Sequence, residues 1–300
     1  MSIIERIYER ILKEAEELSG EELFAKISAR LERAAKENLA IYKTSTSAYG
    51  DVIVLYKPNS LLNPLQDLLV KSTDASTGRP VSRVFLMSTA KDAAYASIVG
   101  MITIDSSAKI KDLGPCDDSA KVGFVAAKEG YGPLLYDLAI SFSPTGKIMS
   151  DREAVSDYAL GVYKGMHKRS DVVKKPFVNK NDKPEKKTQK RIEYGMDPQD
   201  DSRDCDVWYP SNPEREPLDY SFSKSTSVNT SRLESSHQTV VNALKDFLQA
   251  LPSMPSKSNY KHSNQPAGQF FAEIMDTAAS DFFSDEYGKV PSGMTGGRYR

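Results

Sequence analysis

The chain has 300 residues, of which 39% are hydrophobic and 27% are charged, and its formal net charge at pH 7 is −1. This length and hydrophobic content allow one sizeable core, with part of the chain outside it. The nearly neutral balance excludes a global attraction to nucleic acid or to an anionic membrane. Two cysteines, Cys116 and Cys205, are too few for a disulfide framework or a cysteine zinc site, so a reducing compartment is expected.

Residues 1–45 are predicted to form an N-terminal helical hairpin. Apolar residues recur there at helical spacing, and Ser19 with Glu22 fits a capping box between two helices. Two interpretations remain open, a hairpin packed on the main domain and an oligomerisation or docking element. Neither a signal peptide nor a long apolar span is visible, so we expect synthesis in a cytoplasm and no membrane partner.

Residues 46–173 are predicted to form an α+β core, because β-branched strand patterns alternate there with helical ones. The predicted strands are 51–56, 81–87, 96–104, 122–127 and 147–149, and the predicted helices are 61–71, 134–140 and 155–168.

The composition changes after Val173, and residues 174–235 are predicted to form a charged linker or extended arm. Between Lys164 and Arg191 there are eleven basic and three acidic residues, and between Glu193 and Asp219 there are nine acids and two arginines. Neighbouring blocks of opposite sign are typical of solvated linkers or intramolecular partners. No aromatic residue interrupts residues 179–191, so we do not expect a nucleic-acid surface.

Residues 236–300 are predicted to be a C-terminal helix and tail, and three shorter features complete this half of the chain. A helix is expected at 239–251, an apolar cluster at 270–283, and one more strand or ordered arm at 218–222. The acidic run 200–206 lacks the glycine and glutamate of a calcium-binding EF-hand loop and is interpreted as a solvated loop.

The most informative stretch is 121–166, which has the order strand, glycine turn, helix, strand, helix. The apolar run 122–127 leads into Gly130-Tyr131-Gly132-Pro133, and a compact helix pattern follows. A strand that ends in glycines opening a helix can present backbone N–H groups to a phosphate. The alternative is a structural turn, in which glycine permits a positive φ and Pro133 occupies the first helical turn.

This stretch, with residues back to Tyr49, resembles the GCN5-related N-acetyltransferase (GNAT) family. In that family a splayed strand enters a loop of the type Arg/Gln-x-x-Gly-x-Gly/Ala, which holds the coenzyme A pyrophosphate. Gly130 and Gly132 match the two glycine positions, whereas Ala127 stands at the Arg/Gln position. The resemblance implies a GNAT-like fold, with a mixed, mainly antiparallel sheet and helices on both faces. It also implies acetyl-coenzyme A as cofactor of an active enzyme, and a pyrophosphate loop made by Lys128, Gly130, Tyr131 and Gly132.

The segment 156–163 is similar to the family pattern Asn-x-x-Ala-x-x-x-Tyr. Ala159 and Tyr163 match this pattern, and Ser156 replaces the asparagine. The resemblance implies that Tyr163 is the general acid that protonates the departing thiolate, a role that a phenol can fill. The alternative is that Tyr163 packs against neighbouring side chains.

The other side chains of this region offer weaker candidates. The strand before the turn supplies no general base, which leaves Asp105, Asp117 and Asp118. Arg152 either belongs to a helix start or pairs with Asp137 or a substrate anion. The three histidines show no ligand spacing, so no metal site is predicted: His167, His237 and His262.

Two hypotheses about function follow from the resemblance. The segments 130–137 and 150–156 are similar to a subgroup associated with proteins of tailed bacteriophages. The first hypothesis is a virion structural or assembly component that needs no cofactor, contacts other virion proteins or copies of itself, and is localised in the virion after synthesis in the bacterial host cytoplasm. The alternative is an acetyl-coenzyme A-dependent N-acyltransferase that acts on a host or virion protein.

Overall fold

The computed structural model describes residues 39–46, 50–73, 82–105, 119–150, 155–176, 213–225, 229–250 and 266–288. This part of the chain forms an α+β structure with a seven-stranded, mostly antiparallel sheet and six α-helices, which confirms the predicted fold class. The strands are β1 (Ala40–Thr46), β2 (Gly50–Tyr56), β3 (Ile98–Asp105), β4 (Ala120–Ala127), β5 (Lys147–Met149), β6 (Val172–Pro176) and β7 (Tyr220–Lys224). The helices are α1 (Pro58–Thr73), α2 (Arg83–Ser97), α3 (Gly132–Phe142), α4 (Asp157–Lys168), α5 (Ser231–Ala250) and α6 (Ala267–Gly288).

The strands lie in the order β1-β2-β3-β4-β5-β7-β6. β4 and β5 are parallel, whereas every other neighbouring pair is antiparallel. Parallel strands need a crossover, and α3 supplies it between β4 and β5. At β4 the antiparallel order of β1 to β4 therefore gives way to a parallel pair.

The sheet is covered on both faces, and each face has its own apolar core. On the first face, α1, α2, α5 and α6 pack on side chains such as Val52, Val54 and Tyr56. On the second face, α3 and α4 pack on side chains such as Ile53 and Leu55. Alternate residues of a strand point to opposite faces, so double coverage explains why β2 is a continuous apolar run.

The segment 81–87 was predicted as a strand, and that prediction is wrong, because Arg83–Ser97 forms helix α2. The Ser82 hydroxyl accepts a hydrogen bond from the Phe85 N–H at 3.1 Å and caps the helix. The helix then continues through buried alanines at positions 90, 93 and 94, which favour helical backbone. The apolar residues at the start of this segment match a strand pattern only if the Ser82 cap is not taken into account.

The other predicted elements of the core are present, with boundaries shifted by a few residues. The predicted strands at 51–56, 96–104, 122–127 and 147–149 correspond to β2, β3, β4 and β5, and the predicted strand at 218–222 corresponds to β7. The predicted helices at 61–71, 134–140, 155–168 and 239–251 correspond to α1, α3, α4 and α5. Strands β1 and β6 and most of α6 were not predicted as regular elements.

The predicted domain boundaries differ from the boundaries of the elements. Of the predicted N-terminal hairpin, residues 1–38 lie outside the described residues, and residues 40–45 belong to β1. β6 crosses the boundary at 173/174, and α5 crosses the boundary at 235/236. The described residues of the predicted arm at 174–235 include the sheet strand β7 and the start of α5. Those of the predicted C-terminal helix and tail at 236–300 form the rest of α5 and α6, which belong to the first-face core.

None of the helices in the described ranges combines the length and the apolar composition that crossing a bilayer requires. The longest of them, α6, carries several acidic residues along its 22 positions.

Candidate functional site

The parallel contact between β4 and β5 is short, because β5 has only three residues. The two strands pair only at Ala120 with Ile148 and at Lys121 with Met149. The pairing of β3 with β4 shifts register between Ile102 and Ile104, so that two residues of β4 lie opposite one residue of β3. Such a bulge bends its strand and increases its twist. β4 therefore continues past the end of β5 as a bent strand.

Thr103 holds the bulge in place. Its Oγ1 accepts a hydrogen bond from the Phe124 N–H at 2.7 Å, in place of a backbone acceptor. The same oxygen would lie 2.7 Å from a Cβ at Gly123, closer than such contacts come in proteins. Glycine at position 123 is therefore required by the threonine that stabilises the bulge.

The middle of β4 is more exposed to solvent than the neighbouring strand β3. All seven residues of β3 from Ile98 to Ile104 are buried, whereas Gly123 and Val125 of β4 are partly exposed and Phe124 is 36% exposed. Phe124 contacts Phe283 of α6 edge-on, with ring centroids 5.1 Å apart. The part of β4 that extends beyond its pairing with β5 therefore includes partly exposed positions.

The glycine turn follows directly from β4 and opens α3. The Lys128 N–H donates to the Val99 carbonyl at 2.8 Å, and the Tyr131 N–H donates to the Lys128 carbonyl at 3.2 Å. Gly130 has φ of +88°, where glycine is strongly favoured, and a Cβ there would meet no atom within 4 Å. Pro133 lies in the first turn of α3, as the sequence predicted.

Gly132 is required for a different reason, which involves α4. A Cβ at Gly132 would overlap the hydroxyl of Tyr158 and would lie 2.9 Å from its Cζ. Tyr158 lies in the first turn of α4, whose start is fixed by the Ser156 hydroxyl accepting from the Ala159 N–H at 3.2 Å. The phenol of Tyr158 therefore occupies the space beside the turn.

The side chain of Lys128 extends away from the glycine turn. Its Nζ donates to the Ala96 carbonyl near the end of α2 at 3.2 Å. It also lies 5.9 Å from the centre of the Phe282 ring on α6. Lys128 was predicted to belong to a pyrophosphate loop, but its ammonium group lies on the first face of the sheet.

Two helices begin at the edge of the sheet where the glycine turn lies. β2 and β4 are both antiparallel to β3, so α1 and α3, which follow them, start at the same edge. Lys57, immediately before α1, has its Nζ 6.0 Å from the centre of the Tyr131 ring. Helix N-termini and a lysine favour an anionic group, so this edge has the electrostatics of an anion site.

Tyr163, the predicted general acid, lies in the core of the second face. It is 1% exposed, and its ring packs edge-on against Tyr136 at 5.3 Å and tilted against Phe222 at 5.6 Å. Burial, with a smaller contribution from Tyr158, raises the pKa of Tyr136. These contacts match the packing interpretation of Tyr163, and its catalytic role stays a prediction.

A buried ionic network joins α3 to the far end of the sheet. Arg169 makes a bidentate pair with Asp137, at 2.8 and 3.2 Å, and a second pair with Asp171, at 2.8 and 2.6 Å. Lys224 of β7 contacts both carboxylates, at 3.3 and 3.2 Å. Asp137 and Arg169 are no more than 1% exposed, and the formal charges of the four side chains cancel. Such pairing is what allows charged groups to be buried.

The network shifts the pKa of two of its members away from what burial alone would produce. Burial would lower the pKa of Arg169, but hydrogen bonds and charges from Asp171 and Asp137 raise it. Burial would raise the pKa of Asp171, but Arg169 and Lys224 lower it. Arg152, for which pairing with Asp137 was one of the alternatives, lies outside the described residues; Arg169 and Lys224 are the partners that the structure gives Asp137.

Asp105, the candidate general base that lies within the described residues, is not brought to the glycine turn. Asp105 ends β3 and lies opposite Lys121 at the start of β4. The turn follows the other end of β4, roughly 20 Å away at the usual rise per residue. Asp117 and Asp118 lie outside the described residues, and so do the two cysteines, His262 and the acidic run 200–206.

The two described histidines lie in separate places. His167 packs edge-on against Tyr220 at 4.7 Å near the end of α4, where burial and the charge of Lys174 lower its pKa. His237 lies on α5 against the first face of the sheet. Within the ranges that the structure describes, no group of histidine, cysteine and acidic side chains is arranged to hold a metal ion.

Three residues that matter at this site were missed by the sequence interpretation. Tyr158 directly precedes Ala159, which matches the family pattern, and only the contact of Tyr158 with Gly132 reveals its importance. Lys57 is distant in sequence from Tyr131, and Arg169 is distant in sequence from Asp137. Arg169 directly follows α4, a helix with several buried residues, and this position in the sequence is the signal that could have identified it.

Comparisons with protein-family models, with curated proteins and with solved structures give no match to this chain.

Proposed function

We propose that this chain is a structural or assembly component of a bacteriophage particle, built on a diverged acetyltransferase-like fold. The acetyltransferase-like character is part of the proposal. It is supported by the parallel contact of β4 and β5, which ends after two residue pairs, and by the glycine turn that opens α3. In this proposal the chain needs no cofactor and contacts other virion proteins or copies of itself, in the virion.

The observation that carries a non-enzymatic role is the packing of Tyr158 on Gly132. The phenol fills the space next to the glycine that the family pattern would place against a pyrophosphate. One N–H of the turn, that of Tyr131, already donates to the Lys128 carbonyl. A turn that is packed from the inside stabilises the fold, and it does not need a ligand to complete it.

Three further observations point the same way. Ala127 stands where the family pattern has Arg or Gln, and the Lys128 ammonium binds the Ala96 carbonyl. Tyr163 is enclosed by aromatic rings in the core. Lys128 and Tyr163 each have structural contacts that would have to be given up before the residue could serve an acyl donor.

The proposal is tested by mass spectrometry of purified, salt-washed particles from a phage that encodes this chain. We expect the chain in a fixed stoichiometry, together with incomplete particles when its gene is deleted. A Tyr158→Phe variant keeps the packing on Gly132 and should assemble normally. Particles that lack the chain but are otherwise complete and infectious would contradict the proposal.

A second candidate is favoured by the partly exposed middle of β4, beyond its pairing with β5. Gly123, Phe124 and Val125 are partly exposed there, and the edge near Tyr131 has two helix N-termini and Lys57. An acetyl-coenzyme A-dependent N-acyltransferase would bind the pyrophosphate at Lys128, Gly130, Tyr131 and Gly132 and would use Tyr163 as general acid. Its acceptor would be an amine of a host or virion protein.

Calorimetry with acetyl-coenzyme A decides between the two candidates. The structural proposal predicts no heat of binding at millimolar cofactor, and the enzymatic one predicts saturable binding. If binding and turnover are observed, the turnover of the Tyr163→Phe and Tyr158→Phe variants identifies which tyrosine is the general acid. Undiminished turnover of Tyr163→Phe would remove the role of that residue, and a selective loss in Tyr158→Phe would transfer it.

A further inference from the structure

The first face of the sheet has two parts that differ in what packs on them. Its core, which is packed by α1, α2, α5 and α6, includes residues of β1 to β4. Among the described residues, none from β5, β6 or β7 belongs to that core. The helices that pack on these three strands, α3 and α4, lie on the second face. The part of the first face where β5, β7 and β6 follow β4 therefore lies beyond the first-face core.

The side chains of this part, which we call the distal face, follow from strand alternation. Alternate residues of β4, β5, β6 and β7 belong to the second-face core, so the residues next to them along each strand point to the first face. These residues are Lys121 of β4, Lys147 and Met149 of β5, Ser221 and Ser223 of β7, and Val173 and Lys175 of β6. Strand pairing makes them neighbours across the sheet.

The distal face is basic and partly apolar. Its three lysines come from three different strands, and one carboxylate, Asp105 of β3, lies opposite Lys121. Val173 is 52% exposed at the edge strand. Met149 is 2% exposed although it belongs to neither core, so its burial comes from groups outside the two cores. Such a surface fits a partner that combines carboxylates with apolar side chains.

Residues 193–212, which lie outside the described residues, have the composition that complements this face. They carry six acidic residues and one arginine, together with Trp208 and Tyr209. The other long stretches outside the described residues have less net negative charge. There are nine acids against seven basic residues at 1–38 and three against two at 106–118, and the stretches at 177–192, 251–265 and 289–300 are net basic.

The described structure resumes beside the distal face. The Ser150 hydroxyl, just after β5, donates to the Leu218 carbonyl at 3.3 Å, so the chain that enters β7 passes the end of β5. From β4 to β6 the distal face spans three strand spacings, about 14 Å. The chain from Trp208 to Pro213, where the described residues resume, can extend to about 17 Å. The acidic residues before Trp208 are therefore within reach of the face.

We propose that the distal face is the docking surface for residues 193–212 of the same chain. The carboxylates of this segment pair with Lys121, Lys147 and Lys175, and its aromatic residues supply apolar area against Val173. Each exposed ion pair contributes little alone, so docking depends on several pairs that act together.

Carbodiimide cross-linking of the full chain, which joins a lysine amine to an adjacent carboxylate, tests the choice of segment. Mass spectrometry should find Lys121, Lys147 or Lys175 joined to acids of residues 193–206. A mixture of isotope-labelled and unlabelled protein separates links within one chain from links between copies. The proposal is overturned if these lysines are joined instead to residues 1–38, to residues 106–118 or to a second copy, or if they are not joined at all.

Trp208, the one tryptophan of the chain, gives a second readout through its quenching by acrylamide. Changing Lys121, Lys147 and Lys175 together to Gln should release the segment, raise the quenching and remove the cross-links. Each single change should lower the ratio of docked to undocked chain by up to about fivefold. Lys245→Gln is the matched control, because it removes the same charge from an exposed position of α5 and should leave quenching unchanged.

Should the triple variant fold poorly, the unsubstituted chain gives the decision. In 1 M salt the screening length is about 3 Å, so quenching of Trp208 should rise as the ion pairs weaken. Quenching that is the same at low and high salt would overturn the proposal, and so would equal quenching in the folded triple variant and in Lys245→Gln.

Discussion

At the scale of single residues, Gly130 and Gly132 belong to one turn but are required for different physical reasons. Gly130 has φ of +88° in open space, so its requirement is conformational. Gly132 faces the phenol of Tyr158, so its requirement is steric. The pattern Gly-x-Gly therefore arises here from one backbone constraint and one packing constraint, neither of which involves a ligand.

Gly132→Ala is expected to lower the free energy of unfolding by about 1–3 kcal/mol, because the new Cβ overlaps Tyr158. Urea denaturation measures this cost. Tyr158→Ala removes the overlapping atoms, so adding Gly132→Ala to that background should cost much less. Gly130→Ala is the matched control: we expect about 1–2 kcal/mol from its positive φ, with no relief from Tyr158→Ala. Equal costs of Gly132→Ala in both backgrounds would contradict the steric explanation.

At the scale of single elements, α2 shows how a cap decides between helix and strand. Its first turn contains Val84 and Phe85, which are 80% and 57% exposed and have the composition of a strand. The Ser82 hydroxyl satisfies the Phe85 N–H, and a β-strand would offer no such local acceptor. The conformation of the segment thus depends on one side chain before it and on the alanines after it.

Ser82→Ala should lower the free energy of unfolding by about 1 kcal/mol, because it leaves the first N–H groups of α2 without their cap. Thermal denaturation measures the loss, and amide exchange at Phe85 locates it. Ser82→Asp, which also accepts from an N–H group, should retain most of the stability. Equal destabilisation by Ala and Asp would show that the hydroxyl contributes by packing and not as a cap.

The ionic network determines how α3 is connected to the distal strands. Asp137 lies on α3, Arg169 follows α4, and Lys224 ends β7. One buried carboxylate therefore joins three elements that are distant in sequence. Removing one partner leaves the others charged and buried, which costs more than the network contributes when it is complete.

Asp137→Ala is expected to lower the free energy of unfolding by about 3–5 kcal/mol, because Arg169 loses its bidentate partner inside the protein. Chemical denaturation followed by circular dichroism measures this loss. Glu234→Ala is the control, since its pair with Lys43 is half exposed and should contribute less than about 1 kcal/mol. Similar effects of the two substitutions would contradict the importance of the network.

At the scale of the whole molecule, the C-terminal helices are part of the main core. Phe270, Phe271 and Ile274 of α6 are buried to within 1% exposure in the first-face cluster, together with Leu244 of α5. Truncation after Val173 would delete β7, α5 and α6. Because these elements belong to the core, a failure of the truncated chain to assemble would first reflect a loss of folding. An assembly surface has to be sought by surface substitutions.

Phe271→Ala should lower the free energy of unfolding by about 3–5 kcal/mol, because the ring is 1% exposed and packs against Tyr42 and Tyr56. Phe85→Ala removes the same atoms from an exposed position and should cost less than about 1 kcal/mol. Denaturation of both variants compares the two sites. A small cost at Phe271 would mean that α6 is not needed for the stability of the core.

Much of the fold could be predicted, because the apolar periodicity of β2, β3, β4 and α3 is local and strong. The short edge strands could not be predicted, because β6 is a lysine-rich segment with one buried residue, Val172. Its strand conformation comes from pairing with β7, which is far away in sequence. The candidate site was only partly predictable for the same reason, since Tyr158 and Lys57 reach the glycine turn through tertiary contacts.

By itself, the sequence determined the α+β class, the position of the glycine turn and the start of the helix after it, because each depends on local periodicity and on glycine and proline backbone preferences. Only the tertiary structure decided that Tyr158 packs on Gly132, that Tyr163 is enclosed in the core, and that α5 and α6 cover the sheet. These features depend on burial and contact between segments distant in sequence, and such contacts leave no periodic signal in the chain.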